Sequence, residues 1–250
     1  MISLVLAAGY ATRLYPLTEN FPKPLLKVAG RTILDRLLAD VDALPEVSRH
    51  VIVTNRRFIG HFKDWQAAAR YQKPIELLDD GTESNDTRLG AIRDVQLAID
   101  CLALDDDLLV MAGDNLLDFS LSGLTAFARK KDATSILCYR EPDIRRRRRA
   151  GVIVPGDDFR VLSMVEKPEN PPSEWTVPPF YVYSRRDLPQ VAASLRLGVP
   201  CDAPGSFIAW LCGRSQVFAW PMPGRRYDVG TLDDYREICA LFERRAAPNP

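Results

Sequence analysis

The first half of the chain alternates short apolar runs with stretches in which apolar residues recur at helical spacing. Four runs are typical of buried strands: 2–6, 50–54, 74–78 and 108–111. Helical patterns occupy 33–41, 57–70 and the segment that ends near Cys101. The first of them follows Thr32, whose hydroxyl suits an N-cap. This alternation predicts βαβ units, and therefore an α/β fold with a mixed, mostly parallel central sheet flanked by helices.

The second half carries shorter and more varied elements. Helices are predicted at 121–131, 185–197, 205–212 and 233–244, and strands at 134–139, 180–183 and 217–220. Residues 151–166 alternate like two strands joined by a turn, and a proline-rich loop follows at 168–179. These strands predict a small β subdomain. Residues 246–250 are predicted to be disordered.

Small residues, cations and prolines follow the first apolar run. Gly9 and its small neighbours allow backbone N–H groups to approach a phosphate closely. Arg13 adds a fork of donors suited to phosphate oxygens, and Lys23 adds a compact positive charge. Three prolines stiffen the loop. The stretch therefore predicts a phosphate cradle.

Two aspartates far apart in the chain are candidates for a metal site. Asp114 ends an apolar strand in the triplet Gly-Asp-Asn, and Asp228 precedes Val229-Gly230-Thr231. A carboxylate close to bound phosphates is unfavourable unless a divalent cation lies between them. Two carboxylates together with phosphate oxygens suit Mg²⁺. The alternative is that each aspartate caps the element that follows it.

Composition narrows the classes of function. Lysine plus arginine and aspartate plus glutamate number 33 each, so the net charge of +0 gives no reason to expect nucleic-acid or membrane binding. The five cysteines are scattered without a CxxC pair, which argues against a disulfide framework or a zinc site and favours a cytoplasmic setting. No signal peptide or membrane-spanning run is expected. Five consecutive arginines, 145–149, favour a solvated loop; the alternative is that they attract an anionic substrate.

The N-terminal segments resemble the signature of the sugar-phosphate nucleotidyltransferases, the family of glucose-1-phosphate thymidylyltransferase. Residues 6–18 read LAAGYATRLYPLT and residues 21–30 read FPKPLLKVAG, beside a family pattern of LAGG-x-G-TRL-x-PLT followed by PKP. Ala8 and Ala11 stand where the pattern has glycines. The resemblance implies a Rossmann-like fold with a small sugar-binding β subdomain. It also implies an Mg²⁺-dependent enzyme that joins a nucleoside triphosphate to a sugar 1-phosphate and releases pyrophosphate.

The resemblance assigns roles on the nucleotide side. Arg13, Lys23 and Asp114 are the implied catalytic residues, and Asp114 and Asp228 the implied metal ligands. In the W-x-D-x-GT pattern that contains the second aspartate, an arginine or tyrosine replaces the tryptophan here. The implied nucleotide-binding residues are Ala8, Gly9, Thr12, Arg13, Asn85, Gly90 and Asp114. For Asn85, an N-cap is the alternative role.

The resemblance also assigns an acceptor side. The implied sugar-phosphate-binding residues are Lys23, Gly151, Glu166, Lys167 and Tyr181. Glu166 and Lys167 match an EKP motif, in which the carboxylate accepts from sugar hydroxyls and the ammonium pairs with the acceptor phosphate; a surface ion pair is the alternative. Pro179 stands where the family's T-G-x-Y segment has glycine, which removes a backbone donor.

A single domain of residues 1–245 is expected. Its nucleotide-binding part is predicted at about 1–135 and its acceptor-binding part at about 136–215; a returning strand and C-terminal helix follow at about 216–245. No appended left-handed helical domain is expected.

Several alternatives stay open. The base is dTTP, UTP or CTP, the acceptor is unidentified, and a homo-oligomer is compatible with the sequence. The rival functions are a cytidylyltransferase with a non-sugar phosphorylated acceptor, a non-catalytic nucleotide- or sugar-sensing relative, and a glycosyltransferase that consumes a nucleotide-sugar.

Overall fold

The computed structural model describes residues 1–246. The strands are β1 (Ile2–Leu6), β2 (Lys27–Val28), β3 (Arg31–Thr32), β4 (His50–Thr54), β5 (Ile75–Asp79), β6 (Leu108–Ala112), β7 (Asn115–Leu117), β8 (Thr134–Arg140), β9 (Gly151–Pro155), β10 (Val161–Glu166), β11 (Trp175–Val177), β12 (Phe180–Tyr183), β13 (Val217–Pro221) and β14 (Arg226–Asp228). The helices are α1 (Ile33–Asp42), α2 (Ile59–Ala68), α3 (Ala91–Leu102), α4 (Ser122–Lys131), α5 (Ile144–Arg147), α6 (Leu188–Arg196), α7 (Gly205–Leu211) and α8 (Leu232–Ala246).

The chain forms two compact units, and each is assembled from separate stretches of sequence. Unit 1 comprises Met1–Leu4, Leu89–Met111 and Leu121–Pro223. Unit 2 comprises Val5–Arg88, Ala112–Ser120 and the residues from Gly224 onward.

Unit 1 is built around a sheet with the strand order β10-β9-β11-β8-β12-β6. β12 pairs antiparallel with both β6 and β8, and β13 pairs parallel with β8. β9, β10 and β11 form an antiparallel extension, which corresponds to the predicted small β subdomain. Helices α4, α6 and α7 bury apolar residues in this unit, among them Leu124, Val191 and Phe207.

Unit 2 contains the parallel pair β4 and β5, two short antiparallel pairs and its own apolar core. β2 pairs with β3, and β14 pairs with β7, both antiparallel. Helix α1 begins where Thr32 Oγ1 accepts a hydrogen bond from Asp35 N (2.9 Å), as the sequence predicts. One cluster of this core joins buried residues from four separate stretches: Leu14, Leu26, Val28, Ile33, Leu116, Val229 and Ile238.

The predicted fold class is confirmed: a mixed sheet carries helices on an α/β framework. Several predictions of local structure need correction. β11 lies within the 168–179 loop, α5 includes the first three arginines of the run, and β2, β3, β7 and β14 are additional strands. These elements have two to four residues, which is too short for a periodic pattern, and tertiary pairing stabilises the strands. Helix 185–197 is a 3₁₀ turn followed by α6, because Pro189 fits only a first helical turn.

None of the helices within residues 1–246 combines the length and apolar character needed to cross a membrane. Apart from Ala246, at which α8 ends, the tail predicted to be disordered lies outside the described residues.

A buried histidine makes the stability of unit 2 dependent on pH. His50 is fully buried, and its Nε2 lies 3.1 Å from Asp42 Oδ1. Burial lowers the pKa of His50 below its ordinary value of 6.5, although the Asp42 carboxylate opposes this effect. As the pH falls below about 6.5, the unfolded chain therefore binds a proton that the folded chain does not, and stability is lost.

We expect the free energy of unfolding to fall by up to about 1.4 kcal/mol per pH unit through this group below pH 6.5. Urea unfolding between pH 7.5 and 5.5 measures this slope. A His50→Gln variant should show a flatter slope than the wild type, and His61→Gln controls for the loss of an imidazole. Equal slopes in the wild type and His50→Gln would contradict this assignment.

Candidate active site

The residues of the predicted phosphate cradle line a pocket of about 240 Å³ in unit 2. After β1, residues 7–11 lead into a 3₁₀ helix at 12–14, which carries Arg13. A second 3₁₀ helix at 23–25 carries Lys23, which lines the same pocket as Arg13. The pocket is lined by Leu6, Ala7, Gly9, Ala11, Arg13, Leu14, Lys23, Pro24, Ala112, Asp114 and Gly230. The structure therefore brings together both candidate cations and the first candidate acid.

The backbone of the cradle leaves room for a ligand. A Cβ added at Gly9 would meet no atom within 4 Å, so no packing contact requires glycine there. Ala11, at a glycine position of the related pattern, has φ of 46°, which is the left-handed region. The turn thus retains the conformation that favours glycine. Ala8 is buried and accepts a hydrogen bond at its carbonyl oxygen from Asn55 Nδ2 (2.9 Å).

Arg13 is exposed, and within residues 1–246 it has no ion-pair partner. Lys23 differs: its side chain is 8% exposed, and Nζ donates to Asp114 Oδ2 at 2.7 Å. Thr12, a predicted nucleotide-binding residue, is exposed next to Arg13 in the chain and is not among the residues that line the pocket. The pocket therefore has one cation fixed against an acid and one guanidinium open to an incoming anion.

Asp114 is held through both carboxylate oxygens. Oδ2 accepts from Lys23, and Oδ1 accepts from Asn115 Nδ2 at 2.6 Å. Burial favours the neutral acid, but the positive charges of Lys23 and Arg226 outweigh it and hold the pKa of Asp114 below its usual range. The side chain is 36% exposed. Asp114 is therefore a partly exposed carboxylate whose surroundings favour its ionised form.

Asp228 reaches the same neighbourhood through strand pairing. In the β14–β7 pair, Asp228 lies opposite Asn115, and Val229 N donates to the Asp114 carbonyl oxygen at 3.4 Å. Arg226 Nη1 donates to Asn115 Oδ1 at 2.6 Å and lies 3.4 Å from Asp228 Oδ2. Side chains thus link Lys23, Asp114, Asn115, Arg226 and Asp228 in a continuous series.

The capping alternative for the two aspartates is wrong for α8, because another pair of residues caps that helix. Thr231 N and Oγ1 both donate to Asp234 Oδ2, at 2.8 and 2.7 Å. Asp114 likewise makes side-chain contacts with Lys23 and Asn115 instead of a helix cap.

Hydrogen bonds connect loops of unit 2 that follow different strands. Tyr10 and Thr82, which belong to the first loop and the loop after β5, are hydrogen-bonded through their hydroxyls at 2.9 Å. Gly113 N donates to the Leu6 carbonyl oxygen at 3.0 Å, which joins the loop after β6 to the end of β1. The loops after β1, β5 and β6 therefore carry the polar candidate residues at the carboxyl ends of their strands, as in other open α/β sheets.

Asn85 and Gly90, two further predicted nucleotide-binding residues, are not among the residues that line this pocket. Asn85 is exposed in a 3₁₀ turn of unit 2 whose cap position belongs to Ser84, so the N-cap alternative for Asn85 is wrong. Gly90 belongs to unit 1 and has φ of 94°; a Cβ there would lie 2.8 Å from the Cys201 carbonyl oxygen. That close approach explains the glycine without any ligand.

Four of the five predicted sugar-phosphate-binding residues lie in unit 1, namely Gly151, Glu166, Lys167 and Tyr181, whereas Lys23 lies in unit 2. Glu166 ends β10, and burial raises the pKa of its carboxyl although Lys167 opposes the shift. Lys167 is exposed, with φ of 49°, and its backbone N donates to the Ala150 carbonyl oxygen at 3.1 Å. Tyr181 is only 3% exposed in the sheet.

Two glycines enclose the Glu166 carboxylate, and the sequence identified only one of them. A Cβ at Gly151 would lie 3.0 Å from Glu166 Oε2, and one at Gly205 would lie 2.1 Å from the same atom. Gly205 begins α7, thirty-nine positions after Glu166 by residue number, so no sequence motif connects the two. The absence of side chains at both positions therefore leaves the space that this carboxylate occupies.

A Gly205→Ala substitution should displace the Glu166 carboxylate, because 2.1 Å is far below van der Waals contact. We expect the KM for the phosphorylated acceptor to rise by about tenfold while the KM for the nucleotide changes little. Steady-state kinetics with each substrate varied in turn measures both constants. Gly213→Ala is the matched control, since its Cβ would meet only the Trp210 carbonyl oxygen at 3.8 Å. An unchanged acceptor KM in Gly205→Ala would contradict this role.

The interpretation of the arginine run as a solvated loop is incomplete. Asp143 caps α5 by accepting from Arg145 N at 2.9 Å. Arg147 Nη1 donates to the Ser173 carbonyl oxygen at 3.0 Å, and Arg148 Nε donates to the Glu169 carbonyl oxygen at 2.8 Å. These arginines therefore hold the proline-rich loop.

The sequence is similar to those of known nucleotidyltransferases. The model of the family described as nucleotidyl transferase matches residues 2–245. The UTP–glucose-1-phosphate uridylyltransferase of Haloferax volcanii is 29% identical over 74% of this chain and 72% of that protein. The mannose-1-phosphate guanylyltransferase of Mycobacterium tuberculosis is 26% identical over 99% of this chain and 66% of that protein. Several other curated relatives are longer, and the chain spans 38–62% of their length.

The fold has close counterparts among solved structures. The crystal structure of an apo UDP-glucose pyrophosphorylase superposes with a TM-score of 0.83 and covers 98% of this chain and 99% of its own. Sequence identity in this pair is 18%, so the likeness concerns the fold.

Proposed function

This chain belongs to the nucleotidyl transferase family, as its N-terminal signature predicts, and from that premise we propose that it condenses a nucleoside triphosphate with a sugar 1-phosphate. In this reaction an oxygen of the acceptor phosphate attacks the α-phosphorus of the nucleotide. The bond from that phosphorus to the bridging oxygen breaks, and pyrophosphate leaves. The products are a nucleotide-sugar and pyrophosphate.

The observation that carries the proposal is the common pocket of Arg13, Lys23 and Asp114 in unit 2. A triphosphate needs cations close to its oxygens, and the open guanidinium of Arg13 provides one. Lys23 is positioned by its ion pair with Asp114, which limits the motion of a side chain that is otherwise flexible. Phosphoryl transfer requires alignment and charge neutralisation more than covalent chemistry, and this set supplies both.

The donor set fits Mg²⁺. Asp114 and Asp228 present hard carboxylate oxygens and are 36% and 51% exposed. Within residues 1–246, no three histidine, cysteine, aspartate or glutamate side chains are grouped to hold a metal by themselves. Phosphate oxygens and water would complete the octahedral set that Mg²⁺ requires. When bound, the cation neutralises phosphate charge.

The acceptor residues of unit 1 have matching chemistry. Glu166 would accept hydrogen bonds from sugar hydroxyls, in the position that Gly151 and Gly205 leave for it. The exposed ammonium of Lys167 would pair with the acceptor phosphate. Arg13 would stabilise the negative charge that develops on the departing pyrophosphate.

The identity of the base is a separate question. The related proteins are named for uridylyl, adenylyl and guanylyl transfer. The sequence leaves dTTP, UTP and CTP open, so an activity test should include ATP and GTP as well.

A matrix of substrates tests the proposed function. ATP, GTP, CTP, UTP and dTTP are each incubated with glucose 1-phosphate, mannose 1-phosphate, N-acetylglucosamine 1-phosphate or phosphocholine, and pyrophosphate is measured. We expect magnesium-dependent pyrophosphate release with at least one sugar 1-phosphate. Release with phosphocholine alone would favour the non-sugar acceptor. Nucleotide binding without pyrophosphate from any pair would overturn the proposal and favour a sensing protein.

A further inference from the structure

The Arg226 side chain is connected to both candidate metal ligands, Asp114 and Asp228. It is 17% exposed, and Nη1 lies within reach of two oxygens, Asn115 Oδ1 at 2.6 Å and Asp228 Oδ2 at 3.4 Å. Asn115 in turn donates to Asp114 Oδ1. One guanidinium thus contacts Asp228 directly and Asp114 through a single buried amide.

Strand pairing places Arg226, Asp228 and Asn115 on one face of the β14–β7 pair. Arg226 and Asp228 are two residues apart in a strand, so their side chains leave the same face. Asn115 lies directly opposite Asp228 in β7 and therefore projects from that face as well. A tryptophan at position 226 would offer a single N–H donor and no charge to these oxygens.

The charges of the four ionisable side chains in this group cancel one another without a metal. Lys23 and Arg226 supply two positive charges, and Asp114 and Asp228 supply two negative charges. A divalent cation that reached Asp228 would meet a guanidinium already placed 3.4 Å from one of its oxygens. The guanidinium and the metal would therefore compete for the same carboxylate.

We propose that Arg226 is a positioning residue that holds the two metal-binding carboxylates in place and weakens their binding of a free divalent cation. The proposal rests on the proposed function, in which these carboxylates serve a nucleotide-bound metal. A triphosphate adds several negative charges to the pocket, which offset the guanidinium. The cation is then bound with the nucleotide in preference to binding alone.

Mn²⁺ titration of the nucleotide-free protein, followed by electron paramagnetic resonance, tests this inference. Removing a positive charge 3.4 Å from a ligand oxygen should strengthen Mn²⁺ binding, so Arg226→Gln is expected to lower the Kd by about tenfold. Arg225→Gln removes the same charge from the adjacent, exposed residue and should bind Mn²⁺ like the wild type. Damage to the structure would weaken binding, so a tighter Kd cannot come from a merely structural effect.

Thermal unfolding monitors folding of each variant, and Arg226→Met is a second uncharged variant should the glutamine variant not fold. Equal or weaker Mn²⁺ binding in a folded uncharged variant would overturn the inference. Because this titration contains neither nucleotide nor acceptor, its outcome is independent of turnover. An active enzyme with unchanged Mn²⁺ affinity in the variant would refute only the role of Arg226, whereas absent pyrophosphate release would refute the proposed function.

Discussion

An Asp114→Asn variant is expected to fold and to lose between about a hundredfold and a thousandfold in kcat/KM, a change typical of removing one charged group that acts on the transition state. The substitution removes the negative charge that a divalent cation would require. It also removes the charge paired with Lys23, whose Nζ lies 2.7 Å from Asp114 Oδ2. Initial rates of pyrophosphate release at saturating magnesium measure the loss.

The control is Asp233→Asn, which neutralises an exposed aspartate on α8 that pairs only with Arg236 at 3.3 Å. It should retain wild-type kinetics. Far-ultraviolet circular dichroism checks that Asp114→Asn is folded. A folded Asp114→Asn protein with kcat/KM within threefold of the wild type would show that this carboxylate has no part in the reaction.

An Arg13→Ala variant is expected to lower kcat by at least tenfold, and on the order of a hundredfold if the guanidinium stabilises the departing pyrophosphate. Because Arg13 is exposed and has no ion-pair partner within residues 1–246, its removal should leave the melting temperature unchanged. Single-turnover rates with saturating nucleotide separate the chemical step from binding.

Arg70→Ala serves as the comparison for Arg13→Ala, since Arg70 is an exposed arginine of unit 2 that donates to the carbonyl oxygens of Ala67 and Ala69 in its own segment. Its single-turnover rate should match that of the wild type. Wild-type turnover in Arg13→Ala would exclude the assigned role.

The part of the site closest to the N-terminus could be predicted because its chemistry is local in sequence. Gly9, Arg13 and Lys23 lie within one loop directly after an apolar strand, and short-range rules place such a loop at the edge of a sheet. The cap of α1 at Thr32 could be predicted for the same reason, since a cap involves residues three positions apart.

Arg226 and Gly205 could not be predicted, because their roles depend on partners distant in the chain. Arg226 contacts Asn115 only because β14 pairs with β7, and both strands have three residues, too few for a hydrophobic period. Gly205 matters only because Glu166 Oε2 occupies the space of a Cβ there. A sequence pattern reveals the residue types, but such proximities are set by tertiary structure.

The roles assigned to residues of the acceptor side, and to Asn85 on the nucleotide side, stay predictions. Tyr181 lies in the sheet, and only 3% of its surface is exposed. Asn85 is exposed on a turn, where its amide is accessible for a base contact.

Anomalous diffraction from crystals grown with Mn²⁺ and a non-hydrolysable nucleoside triphosphate shows whether Asp114 and Asp228 hold a nucleotide-bound metal beside Arg13 and Lys23. We expect one manganese peak bonded to carboxylate oxygens of both Asp114 and Asp228 and to the triphosphate, with Arg13 and Lys23 contacting phosphate oxygens of that nucleotide. A bound nucleotide whose metal is held by other residues, or whose phosphates lie away from Arg13 and Lys23, would contradict the account.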